Sequence, residues 1–205
     1  LADWEGLENV ASAVHAEGCS MDGLKSMKVY ADEVYINILV EYNPEVVVDK
    51  EWTPLHVYIN TDNSAETGGF GDQWTDADTD VLLETACFAA GAPNPYNPAV
   101  FKWWGEVGGT GWSWTDPAGV ADETNGWGAI VVEGSMPIGN SQLVGETFEI
   151  QLLRELIPGT WSEEGFSIGI DIQQSWTSVG MLPNAADAAD GTAVLAKKLA
   201  VKFDK

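Results

Sequence analysis

The feature that most constrains this chain is an alternation of period two. From Phe166 to Gln173, the apolar residues Phe166, Ile168, Ile170 and Ile172 alternate with Ser167, Gly169, Asp171 and Gln173. Successive side chains of a strand point to opposite faces, so this pattern predicts a strand with one face committed to a core. The same reading holds for Val34 to Glu41, where Val34, Ile36, Ile38 and Val40 share a side, and for Leu55, Val57 and Ile59 against His56, Tyr58 and Asn60. Phe148, Ile150 and Leu152 predict a strand within Glu146 to Leu153, with Arg154 to Pro158 as its exit. Leu199, Val201 and Phe203 predict a terminal strand, whose Lys198 and Lys202 would blunt an exposed sheet edge. Val81 to Phe88 is a short apolar run suited to a buried strand, and Trp127 to Glu133 reads as another.

No segment carries the 3.6-residue period over a helix length, and no strand–helix–strand alternation occurs. The expected fold is therefore all-β: a single antiparallel β-sandwich domain over residues 1–205, jelly-roll or immunoglobulin-like, with long loops. Trp4, Leu7 and Val10 have only weak helical spacing, so residues 1–25 are expected to be an irregular N-terminal lead-in. Between Phe101 and Trp114, Gly108-Gly109 separates two aromatic segments and predicts a hairpin. Its arms would carry Phe101 and Trp103 on one face, and Trp112 and Trp114 on one face.

Ile59 to Glu84 holds seven carboxylates (Asp62, Glu66, Asp72, Asp76, Asp78, Asp80 and Glu84), and no Lys or Arg lies between Glu51 and Phe101. Either this loop is fully hydrated or something positive sits in it. The string from Asp76 fails the EF-hand register, since Val81 and Cys87 stand where that loop needs Gly and a bidentate Glu. Calcium in another geometry is expected, held by Asp62, Asn63, the Thr67 and Gly68 carbonyls, and Asp78 or Asp80, because hard oxygen donors suit that ion.

The balance of 9 basic against 32 acidic residues gives a net charge of −23, which repels phosphate backbones and anionic lipid. Nucleic acid is excluded as an expected partner. No apolar run is long enough to span a bilayer, and the 10 Trp and 45% hydrophobic content are unlike an acidic disordered tail. Cys19 and Cys87 are the only cysteines, leaving either a bridge or two thiols.

Aromatic faces stack on the C–H faces of sugars. Trp103, Trp104, Trp112 and Trp114 are the candidate platform for such a ligand, with Trp74 and Trp176 at its rim; burial in a core is the competing use of each. For catalysis, Glu106, Glu133, Glu149 and Asp171 are available, but sequence spacing pairs none of them across a cleft. His15 and His56 stand in no metalloprotease, hydrolase or phosphate-binding motif and are read as polar surface or satisfied residues.

The order of VYINILVEY, INTDN followed by TGG, and FSIGIDI followed by LP resembles the family 9 carbohydrate-binding module and the wider DOMON-like sandwiches. The segments KVYADEVYI, HVYINTDNS, FKWWGEVGGTGW and IQQSWTSVGMLPNA are similar to uncharacterised surface lipoproteins of gut Bacteroidetes across nearly the whole chain. The first resemblance implies a jelly-roll-like sandwich, structural calcium near the TDN loop and a sugar held between tryptophans. The second implies export, with a lipid anchor upstream of Leu1 and a place at the cell surface, on the outer membrane or in the periplasm. The expected function is a non-catalytic carbohydrate-binding module for a neutral polysaccharide or oligosaccharide. The alternatives are a scaffold that meets other surface proteins, and a glycoside hydrolase.

Overall fold

Alternating sequence becomes two facing sheets in the computed structural model, which describes residues 1–70, 73–109, 114–115, 126–130 and 137–204. The strands are β1 (Ala11–Val14), β2 (Leu24–Ala31), β3 (Tyr35–Tyr42), β4 (Trp52–Asn60), β5 (Val81–Ala89), β6 (Ala92–Pro93), β7 (Ala99–Trp103), β8 (Trp114–Thr115), β9 (Trp127–Ile130), β10 (Gly139–Val144), β11 (Thr147–Leu153), β12 (Phe166–Gln174), β13 (Thr177–Leu182) and β14 (Leu199–Val201). One sheet runs β1-β2-β3-β11-β10. The other runs β13-β12-β4-β5-β7-β9-β8, with β14 on β12 and β6 on β5. Among the described residues, the named strands pair antiparallel except β8 with β9. The expected all-β sandwich is the observed architecture.

The apolar stripes of the sequence meet between the sheets. Ile36, Ile38 and Val40 of β3 and Phe148, Ile150 and Leu152 of β11 face Leu55, Val57 and Ile59 of β4 and Phe166, Ile168, Ile170 and Ile172 of β12, all buried. Tyr42, Phe88 and Phe148 interlock at one end, with ring centroids 5.1 to 5.9 Å apart. Each such aromatic contributes about 1.5–3 kcal/mol by leaving water.

Three expectations are corrected. Residues 1–25 are not wholly irregular: Ala11–Val14 forms β1, an edge strand on β2, and Ala2–Trp4 is a 3-10 turn whose Trp4 Nε1 donates to Glu149 Oε1 at 2.6 Å. Arg154–Leu156, a 3-10 turn directly after β11, is the strand exit that the sequence predicts. The aromatic arms do not form a hairpin, since β9 lies between β7 and β8 and takes the partner position that β8 was assigned. Lys198 precedes β14 and is buried, so it does not guard an edge. The predicted strand from Trp127 is seen to Ile130; its remainder lies outside the described residues.

The polar side of the alternation is also covered. Every residue of β4 after Trp52 is buried, and so is β12 through Gln173. The cover comes from the acidic segment that follows β4, which folds back over the outer face of its own sheet.

Candidate functional site

That cover is an aromatic cluster. Phe70 stacks on Tyr58 with ring planes 6° apart, and Trp74 packs on the same tyrosine at 5.1 Å. Trp103 and Trp127 meet edge to face at 5.1 Å, completing a second core with Leu82 and Met181. Gly169 supplies the room: a Cβ there would stand 2.5 Å from the Trp74 ring. The Trp74 indole also donates to the Pro183 carbonyl at 3.0 Å. One half of the outer face is sealed in this way.

The other half is open, as a cleft of about 550 Å³, within the range of small-ligand sites. A row of three side chains from adjacent strands underlies it, with Glu84 and His56 on the floor and Asp171 buried behind them. Strand register places Glu84 of β5 beside His56 of β4, and His56 beside Asp171 of β12. His56 Nε2 lies 2.7 Å from Glu84 Oε2, while Nδ1 lies 3.2 Å from the Tyr58 hydroxyl and 3.6 Å from Asp171 Oδ2. Burial works to lower the His56 pKa, but the hydrogen bonds and charges of Asp171 and Glu84 outweigh it and hold the value above 6.5. Asp171 is fully buried, and its Oδ2 accepts from Gln173 Nε2 at 2.7 Å and Gln73 Nε2 at 3.1 Å. Gln73 Nε2 also reaches Ser178 Oγ at 3.2 Å.

Phe101 and Trp176 form the apolar walls. Trp176 sits in the two-residue turn between β12 and β13 and is 60% exposed. Ser175 and Trp176 both have positive φ, 50° and 61°. A left-handed bulky residue costs about 1–2 kcal/mol, and such strain tends to persist where a position is functional. Of the tryptophans singled out by sequence whose side chains are described, Trp176 is the one set on this cleft.

The others are accounted for by burial or location. Trp74 is a fully buried residue of the aromatic cluster, which corrects its assignment to the rim of a ligand platform; Trp103 packs in the same cluster and also lines, with Trp104, a second hollow. Trp104 is half-buried beneath Lys102, whose Nζ is 4.8 Å from the ring. Trp112 lies outside the described residues, as does the Trp114 side chain.

The acidic segment does hold something positive. Lys198 reaches in from the strand-free stretch before β14, placing Nζ 2.7 Å from Asp78 Oδ1 and 3.6 Å from Asp76 Oδ1, and donating to the Asp76 carbonyl at 2.6 Å. Its backbone N–H donates to the Asp76 carboxylate at 3.0 Å. Asp78, one of the expected calcium ligands, is thus the partner of a lysine 120 residues on.

Asp62, Thr67, Gly68 and Asp80 gather instead at a separate hollow of about 360 Å³ beside Trp104. Local donors meet their carboxylates there: Ser64 N and Thr67 Oγ1 donate to Asp62, and Thr61 N and Oγ1 donate to Asp80. Asp80 is raised above its ordinary value, chiefly by burial, with the charge of Asp62 adding to it and the bonds from Thr61 opposing. Asn63 is exposed at φ 58°, donating its N–H to Asn60 Oδ1. Among the described residues, no three His, Cys, Asp or Glu side chains are grouped to hold a metal ion.

The carboxylates considered for catalysis are dispersed. Glu149 belongs to the other sheet, Glu106 is exposed, Asp171 lies under the cleft floor, and Glu133 is outside the described residues. Sequence reasoning missed the Glu84–His56–Asp171 row, because each residue looks ordinary until register sets the three side by side. Both cysteines are free thiols, Cys87 buried and Cys19 partly exposed.

Fold and site together define an all-β sandwich with an open, aromatic-walled cleft on the outer face of its larger sheet. In comparisons with known proteins, no family model, no curated protein and no solved structure matches the chain. Among the described residues, no helix is long and apolar enough to cross a membrane.

Proposed function

We propose that this protein is a non-catalytic glycan-binding module whose ligand lies in the cleft against Trp176. The observation that carries the reading is the strained, exposed Trp176 above a floor of hydrogen-bonding groups. A large apolar side chain held at positive φ and open to water contributes little to stability, whereas an aromatic face beside fixed polar groups is what a sugar ring needs. Among the described residues that line the cleft there is no Lys or Arg, and Glu84 contributes a carboxylate, so sugars bearing acid groups are disfavoured. The reading includes export to the cell surface or periplasm, which the lipoprotein resemblance supports.

Structural calcium enters the proposal at one place. Lys198 supplies the positive charge at Asp76 and Asp78, so an ion would sit at the Asp62 and Asp80 end.

Affinity electrophoresis through gels containing uncharged polysaccharides tests the proposal. Retardation by at least one of them, lost in Trp176→Ala, is expected; unretarded migration of the wild type on a broad panel overturns it.

A further inference from the structure

The balance of donors and acceptors in the cleft narrows the ligand, given the glycan-binding reading above, on which this step rests. A carboxylate can only accept hydrogen bonds, so a side-chain amide beside it must turn its nitrogen inward. Asp171, fully buried, does this to two glutamines at once: Gln173 Nε2 donates to its Oδ2 at 2.7 Å and Gln73 Nε2 at 3.1 Å. The Gln73 nitrogen has a second acceptor in Ser178 Oγ, while its Oε1 has no hydrogen-bond partner among the described residues. The amide ends turned away from Asp171 are therefore carbonyl oxygens; Gln73 Oε1 is itself buried and Gln173 is 5% exposed, so they make the floor behind the cleft electron-rich rather than standing open in it. Beside them stands the Glu84 carboxylate, a further acceptor, whose inner oxygen is held by His56.

Against these acceptors the described lining side chains offer few donors to a ligand, namely the Ser178 hydroxyl and the Trp176 indole N–H, with no Lys or Arg among those described residues. A sugar hydroxyl both donates and accepts, so a cleft built for hydroxyls alone would mix the two kinds. An ammonium has three donors and no acceptor. It also suits the faces of Trp176 and Phe101, which attract cations, and a carboxylate already in the site.

We propose that the cleft recognises an amine-bearing sugar, a glycan unit whose amino group is free and protonated. Glu84 receives the ammonium, with the glutamine carbonyl dipoles behind it favouring positive charge, Trp176 stacks on the ring, and Asp171 is a positioning residue that fixes both amides without touching the ligand. The same arrangement rejects the N-acetylated form, whose amide keeps one donor and adds a carbonyl acceptor.

The test is isothermal titration of the whole chain, slightly below neutral pH, with four probes. Three are oligosaccharides of equal length: glucosamine with free amines, its N-acetylated counterpart, and glucose. The fourth is a simple diamine with no sugar. The free-amine oligosaccharide is expected to bind about tenfold tighter or more than the other two sugars, as a charge-assisted hydrogen bond implies. Glu84→Gln should bring the three sugars to within about twofold of one another. Asp171→Asn should compress the ratio between aminated and acetylated ligands, a readout that a purely structural role would not move; the wild-type comparison needs neither variant to fold. Equal or inverted affinities overturn the inference while leaving the glycan reading intact. Binding of the diamine with no sugar bound supports the amine site and overturns the glycan reading. Absence of heat with all four probes overturns both.

Discussion

The imidazole of His56 lies 2.7 Å from the carboxylate of Glu84, its register partner on the neighbouring strand, with Asp171 behind it on the strand beyond. A buried histidine between two carboxylates is worth more protonated than neutral, despite the burial that works against its charge. Its folded pKa is therefore raised above 6.5. In that case the folded state binds more protons than the unfolded state between the two values.

The sign follows directly. Stability contributed by the His56 proton is fully present below pH 6.5 and is lost as pH rises through the raised folded value. Chemical denaturation at a series of pH values above 6.5 should show falling stability in the wild type and a flatter profile in His56→Gln. A wild-type profile that rises across that window contradicts the row as described.

Trp176→Gly should separate stability from binding. Glycine adopts positive φ without steric cost, so relief of strain offsets the entropy that glycine adds to the unfolded chain. The expected result is a melting temperature that is unchanged or raised by about 2–4 °C, corresponding to about 1 kcal/mol in a domain of this size, with glycan retention lost. A clear loss of stability would mean that Trp176 serves the fold.

Lys198→Met should be costly, because it leaves Asp76 and Asp78 without the ammonium that lies against them. Removing one partner of a largely buried pair costs about 3–5 kcal/mol, and partial exposure of the two aspartates argues for the lower end. Denaturant unfolding of the variant checks this. Calcium at the Asp62 and Asp80 end predicts a higher melting midpoint with calcium than after chelation, and no such difference in Asp80→Asn. An identical wild-type midpoint in both conditions removes calcium from the account.

Thiol labelling should divide the two cysteines. Burial pushes the Cys87 thiol up to about 12, so it has almost no thiolate at neutral pH as well as no access. Native protein should react quickly at Cys19 and at Cys87 only after unfolding, as peptide mapping of the labelled sites would show. Rapid native labelling of Cys87 would contradict the packing around it.

Much of the sandwich was legible in the chain because its inner faces are written in period two: Ile36, Ile38 and Val40 predict β3, and Phe166 through Ile172 predict β12. The strands that escaped notice lack that signal. In β2 a bulge between Leu24 and Ser26 breaks the alternation, and β10 and β1 are edges with little to bury. The β12–β13 hairpin turns on Ser175-Trp176, where an Asn-Gly pair would have announced it.

The site was less legible for a related reason. His56, Glu84 and Asp171 occupy the polar positions of strong strands, and only cross-strand register makes them neighbours. Lys198 likewise meets Asp76 and Asp78 across a separation that no local pattern spans. The tryptophan count pointed to an aromatic surface, yet Trp74 and Trp103 are held in a second core that exists because the acidic segment folds over its own sheet.

The central claim is that a glycan contacts Trp176 in the cleft, and indole N–H resonances test it most directly. In a ¹⁵N-labelled sample the Trp176 signal is assigned by its disappearance in Trp176→Phe, and a glycan retained in affinity electrophoresis is then titrated in. Progressive movement of the Trp176 resonance, with the buried Trp74 and Trp127 signals nearly still, is the predicted result. A bound glycan that leaves Trp176 unmoved would contradict it.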